Sequence, residues 1–154
     1  MFSKEEAKNL RVEFWTAFGV YMRQHTPLLS VKQKWVNYKT GVSGIYFRMD
    51  AGRRAASVAI EIQSNDSGIN AIFFEQFEEL KTYLEAESGA EWNWEKEAFD
   101  QQGKPMARIY QTRDGLSLYN KQDWGDLFQF FESCIVPLDS VWADCSEVFK
   151  DLAG

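Results

Sequence analysis

The sequence predicts an α+β fold, with helices packed in a second layer on a largely antiparallel sheet of about five to six strands. Three observations indicate this class. Segments with a helical apolar period lie at both ends of the chain and in its middle. Short aromatic and β-branched segments lie between them, and an Asp114-Gly115 turn signal joins two of these. We therefore expect the order αβββαβββα in a single domain over residues 1–154.

The composition indicates a ring-rich core and argues against general nucleic-acid binding. Hydrophobic residues make up 45% and aromatic residues 16% of the chain, and the net charge is −6. The charge is uneven, with +6 over residues 1–60 and −12 over residues 61–154. This asymmetry indicates either an anion-binding face beside an acidic one or, more commonly, two halves whose fields partly cancel when they fold together.

A cytoplasmic protein without a membrane span is expected. The first ten residues carry two acids and no apolar core, unlike a signal peptide. Cys134 and Cys145 do not have zinc-motif spacing, so we expect two buried thiols. The sequence has no phosphate-binding glycine motif and a single histidine, and we expect neither a cofactor nor a metal.

The first helix is predicted from a capping box at residues 3–6 to about Gln24. Its apolar arc is broad, which predicts a well-buried helix. Pro27 prevents continuation, and His25 lies at the helix C-terminus, where a cation is favourable. The main stripe and the residues beside it are Leu10, Phe14, Phe18, Tyr21, Val12, Trp15, Gly19 and Met22.

Three strands are predicted next, over residues 34–40, 43–50 and 55–63, and the last two form a hairpin. Pairing Asp50 with Ala55 places Ile45 opposite Ile60 and Phe47 opposite Val58 on the core side. The same register points another set of side chains outward. These are Tyr46, Arg48, Ser57, Ala59, Glu61 and Gln63.

The second half continues with a helix that ends at Gly89, because glycine favours the left-handed position after a helix. Strands are predicted over residues 91–99, 106–112 and 116–119. A helix follows from Trp124, and a further helix is expected to begin at Pro137.

The first six predicted elements have the order of the restriction-endonuclease-like core. In that core an Asp begins the second strand and Glu-x-Lys lies on the third, where this chain has Glu61-Ile62-Gln63. The predicted register puts Gly44 opposite Glu61, and Asp50 lies about 20 Å further along. Glu61 and Gln63 are therefore weak catalytic candidates, and an ion pair with Arg48 is the plainer interpretation of Glu61.

Two surface features carry the remaining binding hypotheses. Basic and aromatic residues around the hairpin are candidates for contact with nucleic acid or another anion, although a solvated hairpin tip is the plainer interpretation. They are Arg48, Arg53, Arg54, Lys32, Lys34 and Tyr46. The C-terminal apolar stripe packs on its own sheet or binds an unknown protein or a second copy of the chain. It comprises Leu138, Val141, Trp142, Cys145, Val148 and Phe149. A small-molecule pocket among the tryptophans is a third alternative.

Features spread over nearly the whole chain resemble a bacterial family of domains of unknown function. They are Phe14 and Trp15, Trp35 and Tyr38 before Gly41 and Gly44, residues 60–62, the Phe-rich second helix, residues 91–94, and Asp123 with Trp124. Members of that family occur alone or C-terminal to predicted nuclease-like regions. The resemblance implies bacterial origin, a compact domain, and association with nuclease-like or defence-type proteins.

We therefore expect a non-catalytic binding or interaction module. The alternative is a nuclease-related protein whose outward sheet face, with Tyr46, Arg48, Glu61 and Gln63, contacts nucleic acid or a metal.

Overall fold

The computed structural model describes residues 2–154 and has the predicted α+β class. Four α-helices and one four-stranded sheet follow the order αββααββα. The elements are α1 Lys4–Tyr21, β1 Ile45–Ala51, β2 Ala55–Ile62, α2 Ser67–Glu79, α3 Lys81–Ser88, β3 Asn93–Phe99, β4 Pro105–Asp114 and α4 Trp124–Ala153. Short 3₁₀ turns at Met22–Gln24 and Lys121–Asp123 follow α1 and precede α4.

The sheet consists of two antiparallel hairpins placed side by side in the order β1-β2-β4-β3. Alternate side chains of β2 and β4 point into the core, so Val58, Ile60 and Ile109 are fully buried under the helices. The opposite face of the sheet carries exposed polar side chains. The prediction of five to six strands is wrong, because two of the predicted strands do not form.

The segment over residues 34–40 is irregular rather than a strand. Asn37 has a φ of +59°, which interrupts any extended run. Trp35 and Tyr38 are buried, as their apolar character predicted, but they anchor a loop to the core. Because this strand is missing, the order αβββαβ expected for a restriction-endonuclease-like core is not observed.

Residues 116–119 also form a loop instead of the predicted short strand. Leu116 and Leu118 are buried, and the Leu118 N–H donates to the Gly52 carbonyl at 3.0 Å. The Asp123 carboxylate accepts from the Ser117 N–H at 2.9 Å. The alternation of apolar residues therefore reflects a loop pinned to the β1–β2 turn and to the start of α4.

The β1–β2 hairpin has the predicted faces, but its predicted register is wrong by two residues. Ile45 lies opposite Ile62 and Phe47 opposite Ile60. The Gly52 N–H donates to the Ala55 carbonyl at 3.0 Å, so the turn consists of residues 53–54 alone and pairing continues further than expected. A shift of two residues keeps every side chain on its predicted face.

The helices follow the predicted periodicity with two differences. The capping box of α1 is present, with Ser3 and Glu6 each accepting from the other's backbone N–H. The predicted second helix is divided at Leu80 into α2 and α3 and ends at Gly89, whose φ is +68°. The predicted new helix at Pro137 is wrong, since α4 runs through Pro137 while burying apolar residues on both sides of it.

Aromatic rings fill the interface between the helices and the sheet. Phe14 and Phe18 of α1 lie against Phe131 of α4, with ring centroids 6.1 Å and 5.6 Å from that ring. The ring centroids of Phe77 and Phe149 are 4.4 Å apart. The ring-rich core that the composition indicated is therefore present.

Helix α4 holds the long irregular segment between α1 and β1 through a buried carboxylate. Asp139 is 1% exposed and accepts from the Leu28 N–H and the Tyr38 hydroxyl, both at 2.6 Å. One turn later, the Trp142 indole N–H donates to the Thr40 carbonyl at 2.8 Å. These bonds fix both ends of the segment to one helix.

Replacing Asp139 with Ala should lower the free energy of unfolding by about 3 kcal/mol, because the buried Tyr38 hydroxyl and the Leu28 N–H lose their common acceptor. Urea denaturation followed by fluorescence measures the loss. Asp151→Ala, at an exposed position of the same helix, is the matched control and should change stability by no more than about 0.5 kcal/mol. Equal effects of the two substitutions would contradict the structural role of Asp139.

A second attachment of α4, made by Glu132 to Tyr21 and His25 at the end of the first helical region, contributes to stability in a way that depends on pH. The Tyr21 hydroxyl donates to Glu132 at 2.6 Å, and His25 lies 2.5 Å from the other carboxylate oxygen. The Tyr21 hydrogen bond, and after it the one from His25, hold the pKa of Glu132 below its ordinary value of 4.5. This contribution to stability is present above the unfolded-state pKa and is lost as the pH falls through the folded-state pKa.

The stability difference between wild type and Glu132→Gln should therefore shrink as the pH falls from 5 to 3. Urea titrations at several pH values in that interval measure it. Glu147→Gln, an exposed carboxylate on the same helix, is the control. A Glu132→Gln difference that stays constant over the interval would show that the Glu132 carboxylate is not stabilised by its neighbours.

Candidate functional site

The face of the sheet opposite the helices, here called the outer face, carries Tyr46, Arg48, Glu61, Arg108 and Tyr110. Glu61 lies between Tyr46 on β1 and Arg108 on β4. The Arg48 Nε donates to the Glu61 carboxylate at 3.2 Å. The ion pair that the sequence suggested for Glu61 is therefore present.

Each arginine of the outer face also lies over a tyrosine ring. The Arg48 guanidinium is 4.6 Å from the centre of the Tyr46 ring, and that of Arg108 is 4.4 Å from the centre of the Tyr110 ring. The Tyr110 hydroxyl donates to Glu95 at 2.5 Å, and this hydrogen bond raises the pKa of Tyr110. The outer face thus consists of mutually paired charges and rings.

Gln63, the second catalytic candidate, holds a neighbouring loop in place. Its side-chain amide donates to Asp100 at 2.5 Å, and Asp100 also accepts from the backbone N–H groups of Gln102 and Lys104. Asp100 therefore caps the β3–β4 turn while binding Gln63. Both outward positions of the Glu-x-Gln segment are engaged in such contacts.

The other carboxylates near Glu61 do not converge on it. Asp50 lies opposite Ser57, four positions from Glu61 along β2 and so about 13 Å away. Asp66 accepts from the N–H groups of Gly68 and Ile69 as the N-cap of α2. Over residues 2–154, no three His, Cys, Asp or Glu side chains are grouped closely enough to hold a metal ion.

The six predicted anion-binding residues do not form one patch. Arg53 and Arg54 lie exposed at the β1–β2 turn, where the Arg53 guanidinium is 5.8 Å from the centre of the Tyr119 ring. Lys32 and Lys34 lie exposed in the irregular segment before β1. Arg48 and Tyr46 instead take part in a concave surface next to α1.

This surface is a cavity of about 710 Å³ between α1, the segment before β1, and the edge of β1. We call it the α1–β1 groove. It is lined by Arg11, Val12, Trp15, Thr16, residues 36–38 and residues 46–49. Its volume lies in the range of ligand-binding clefts, which is roughly 300–1,000 Å³.

The α1–β1 groove is positively charged. Arg11 and Arg48 are its charged lining residues. The carboxylate that Arg48 contacts, Glu61, lies on the outer face and is not among the residues that line the groove. A second cavity of about 560 Å³ shares Trp15, Thr16 and Val36 with the groove. Its charged and titratable lining residues are Arg23, His25 and Lys34. Arginine and lysine side chains therefore border both cavities, on a chain with a net charge of −6.

The groove also exposes apolar surface. Val12 of α1 is 60% exposed and Tyr46 of β1 is 39% exposed. The prediction of a well-buried first helix is therefore wrong, since only Ala7, Phe14 and Phe18 of α1 are buried. Apolar side chains left exposed beside cations match a ligand that carries both apolar and anionic groups.

The core holds the wall of the groove rigid. The ring of Tyr38 stacks on that of Phe47, with centroids 5.2 Å apart and an interplanar angle of 28°. The Trp35 indole N–H donates to the His25 carbonyl at 3.2 Å. Tyr38 is held in turn by Asp139 on α4, so the irregular segment has a defined shape in front of β1.

The model of a family described as "Domain of unknown function (DUF4268)" matches residues 10–146. The chain belongs to this family. The predicted resemblance to a family of domains of unknown function is confirmed. No curated protein and no solved structure matched the chain.

The part of the chain matched to DUF4268 includes every lining residue of the α1–β1 groove. It begins within α1 and ends within α4. Sequence reasoning identified Arg48, Tyr46 and Lys34 in this region but missed Arg11 and Asn37 as part of a site. The exposed side chain of Val12 beside Arg11 marks the site in the structure. The apolar period of a helix does not show which of its apolar residues remains exposed to solvent.

The predicted partner-binding stripe of α4 lies mostly inside the molecule. Leu138, Val141, Trp142 and Phe149 are buried in the core, while Cys145 is partly buried and Val148 is 44% exposed. These positions agree with packing on the chain's own sheet. Self-association through this stripe stays a prediction.

Both cysteines are free thiols, but the expectation of two buried thiols holds for Cys134 alone, since Cys145 is only partly buried. Burial raises the pKa of the Cys134 thiol to about 11, and burial followed by the nearby Asp144 raises that of Cys145. Thiols with raised pKa values are weak nucleophiles at neutral pH. Within residues 2–154 no helix has the length and apolarity that crossing a membrane requires.

Proposed function

We propose that this DUF4268 domain is a non-catalytic binding module and that the α1–β1 groove is its ligand site. The observation that carries the proposal is the lining of the groove, in which Arg11 and Arg48 are the charged residues. Glu61, the ion-pair partner of Arg48, lies outside the groove on the outer face. Cations in a cleft of low dielectric raise the local concentration of anions and direct their approach. The ligand is therefore an anionic partner.

The contacts of Glu61 and Gln63 favour binding over hydrolysis. Glu61 forms an ion pair with Arg48, and Gln63 binds the Asp100 carboxylate, so both side chains serve the structure of the sheet. Hydrolysis assisted by a hard cation needs carboxylates that converge within a few ångströms. Asp50 and Asp66 are engaged elsewhere, as described above.

A nuclease-related protein that contacts nucleic acid through the outer face is the second candidate. The stacked pairs Arg48–Tyr46 and Arg108–Tyr110 favour it, because bases stack on aromatic rings and on guanidinium planes. The acids Glu61 and Glu95 on the same face oppose a phosphate backbone. Bacterial origin, a cytoplasmic location, association with nuclease-like proteins and self-association remain predictions that accompany these proposals.

Removing the two groove cations should weaken anion binding more than removing two cations elsewhere. We expect the double substitution Arg11→Gln and Arg48→Gln to weaken binding of at least one anionic probe about tenfold, since two charge-assisted contacts are lost. The probes are fluorescein-labelled thymidine 20-mer DNA and a labelled nine-residue peptide of alternating Glu and Val. Fluorescence anisotropy at low salt gives the dissociation constants.

The matched control is the double substitution Lys96→Gln and Lys104→Gln, which removes the same charge at exposed positions of β3 and the β3–β4 turn, at the opposite edge of the sheet from β1. It should change the affinity by less than about threefold, as expected for a long-range charge effect in salt. Equal weakening by both double variants, or no binding of either probe by the wild-type protein, would overturn the groove as the ligand site.

Purified protein should not cleave plasmid or single-stranded DNA in the presence of Mg²⁺ or Mn²⁺. Gel electrophoresis of wild type and Glu61→Ala, incubated side by side, measures this. Because Glu61 pairs with Arg48 and lacks converging acids, the two proteins should behave alike. Metal-dependent cleavage that disappears in Glu61→Ala would establish the nuclease alternative and refute the non-catalytic proposal.

A further inference from the structure

The strand β1 lies at the edge of the sheet and has β2 as its neighbour. Two hydrogen bonds fix which of its backbone groups face β2. The Gln63 N–H donates to the Gly44 carbonyl at 2.7 Å, and the Gly52 N–H donates to the Ala55 carbonyl at 3.0 Å. Because bonding alternates along an antiparallel pair, the even-numbered residues of β1 bond to β2 and the odd-numbered residues direct their N–H and C=O groups to the outer edge.

The protein's own loop covers the beginning of this edge. The Ile45 N–H donates to the Val42 carbonyl at 3.2 Å, and the Ile45 carbonyl accepts from the Thr40 hydroxyl at 2.7 Å. Within residues 2–154, the edge-facing N–H and C=O groups of Phe47 and Met49 make no such hydrogen bond. The edge therefore becomes available for pairing two residues after Ile45.

These groups open into the α1–β1 groove. Four consecutive residues of β1, 46–49, line the groove. Successive side chains of a strand point to opposite faces of the sheet. A cavity that contacts four consecutive residues therefore lies beside the edge of the strand and not over one face. The groove thus presents backbone donors and acceptors together with the cations Arg11 and Arg48.

We propose that the α1–β1 groove takes an extended acidic segment of a partner protein, which adds to β1 as a fifth, antiparallel strand. The proposal rests on the proposed function of the groove and names its ligand class. Strand addition supplies affinity through main-chain hydrogen bonds and selectivity through alternate side chains. Antiparallel pairing continues the pattern of every other pair in this sheet.

The side chains that border the groove define the pattern of the added strand. On its helix side the strand meets Val12 and Trp15, and on its outer side it meets Tyr46 and Arg48. Alternating apolar and acidic residues satisfy both sides. In an antiparallel pair, residues directly opposite each other point to the same face of the sheet. The side chains of Phe47 and Met49 point to the helix side, so the ligand residues that hydrogen-bond to them are the apolar ones.

Two other occupants fit the groove less well. A second copy of the chain paired edge to edge would bring its own Arg11 and Arg48 to the same interface, and like charges there oppose association. Single-stranded nucleic acid would use the cations and rings but would leave the backbone groups of Phe47 and Met49 without partners. An acidic extended peptide uses every feature of the groove.

Backbone methylation of the alternating Glu–Val peptide tests the strand pairing. Methylating the N atoms of the Val residues removes donors that face β1 and should weaken binding about tenfold or more, whereas methylating those of the Glu residues should leave affinity within about threefold of the parent. A peptide with Lys in place of Glu should not bind. Equal effects of the two methylation patterns, or loss with methylated Glu instead, would overturn antiparallel strand addition.

Hydrogen exchange on the wild-type protein gives a second readout that needs no variant. Saturating peptide should slow exchange of the Phe47 and Met49 amides at least tenfold, while the Tyr46 and Arg48 amides, which already bond to β2, should change little. Unchanged exchange at Phe47 and Met49 in the presence of bound peptide would refute the proposal.

The outcomes separate this inference from the proposed function. Groove-dependent binding of thymidine DNA without binding of the peptide would overturn strand addition and leave the groove as an anion site. Binding of neither probe would overturn both. Light scattering on the protein without peptide tests for a dimer. If a dimer forms and slows hydrogen exchange at the Phe47 and Met49 amides, a second copy of the chain is the occupant and the proposal is overturned.

Discussion

The buried carboxylate of Asp139 is the constraint on which the shape of this domain's surface depends. Its partners are neutral donors, the Leu28 N–H and the Tyr38 hydroxyl. Burial, and after it the hydrogen bond to Asp139, raises the pKa of Tyr38, so the phenol stays protonated and continues to donate. Because α4 lies on the sheet, Asp139 links the position of the sheet to that of a segment with no regular structure. These hydrogen bonds therefore attach the wall of the α1–β1 groove to the core.

Features determined by neighbours in sequence were predictable, and features determined by distant contacts were not. The capping box of α1, the left-handed Gly89 and the faces of the β1–β2 hairpin depend on local chemistry and side-chain alternation. The aromatic residues at 35 and 38 have the composition of a strand, but the hydrogen-bond partner of Tyr38 is Asp139 on α4, about a hundred positions away in the sequence. A pattern of apolar residues indicates burial without showing whether a strand or an anchored loop provides it.

The hairpin register shows how a small error changes the interpretation of a site. The two-residue turn brings Tyr46, rather than Gly44, opposite Glu61. Glu61 thereby acquires an aromatic and an arginine neighbour on β1 in place of an open position beside a glycine. The separation between Asp50 and Glu61 becomes shorter than the sequence indicated, yet it still exceeds what a shared metal ion allows. The candidate site consequently moves from Glu61 and Gln63 to the edge of β1, which the pattern of residues does not reveal.

The contrast between the cationic groove and the acidic chain favours a short ligand over a long polyanion. In physiological salt, the influence of Arg11 and Arg48 extends roughly 8 Å, which spans only a few residues of an extended segment. Beyond that distance an anionic ligand meets a chain whose second part, residues 61–154, carries a net charge of −12. A continuous phosphate backbone would therefore be attracted at the groove and repelled beside it. An acidic segment of about five residues has its charge where the groove has cations, and its ends need not be charged at all.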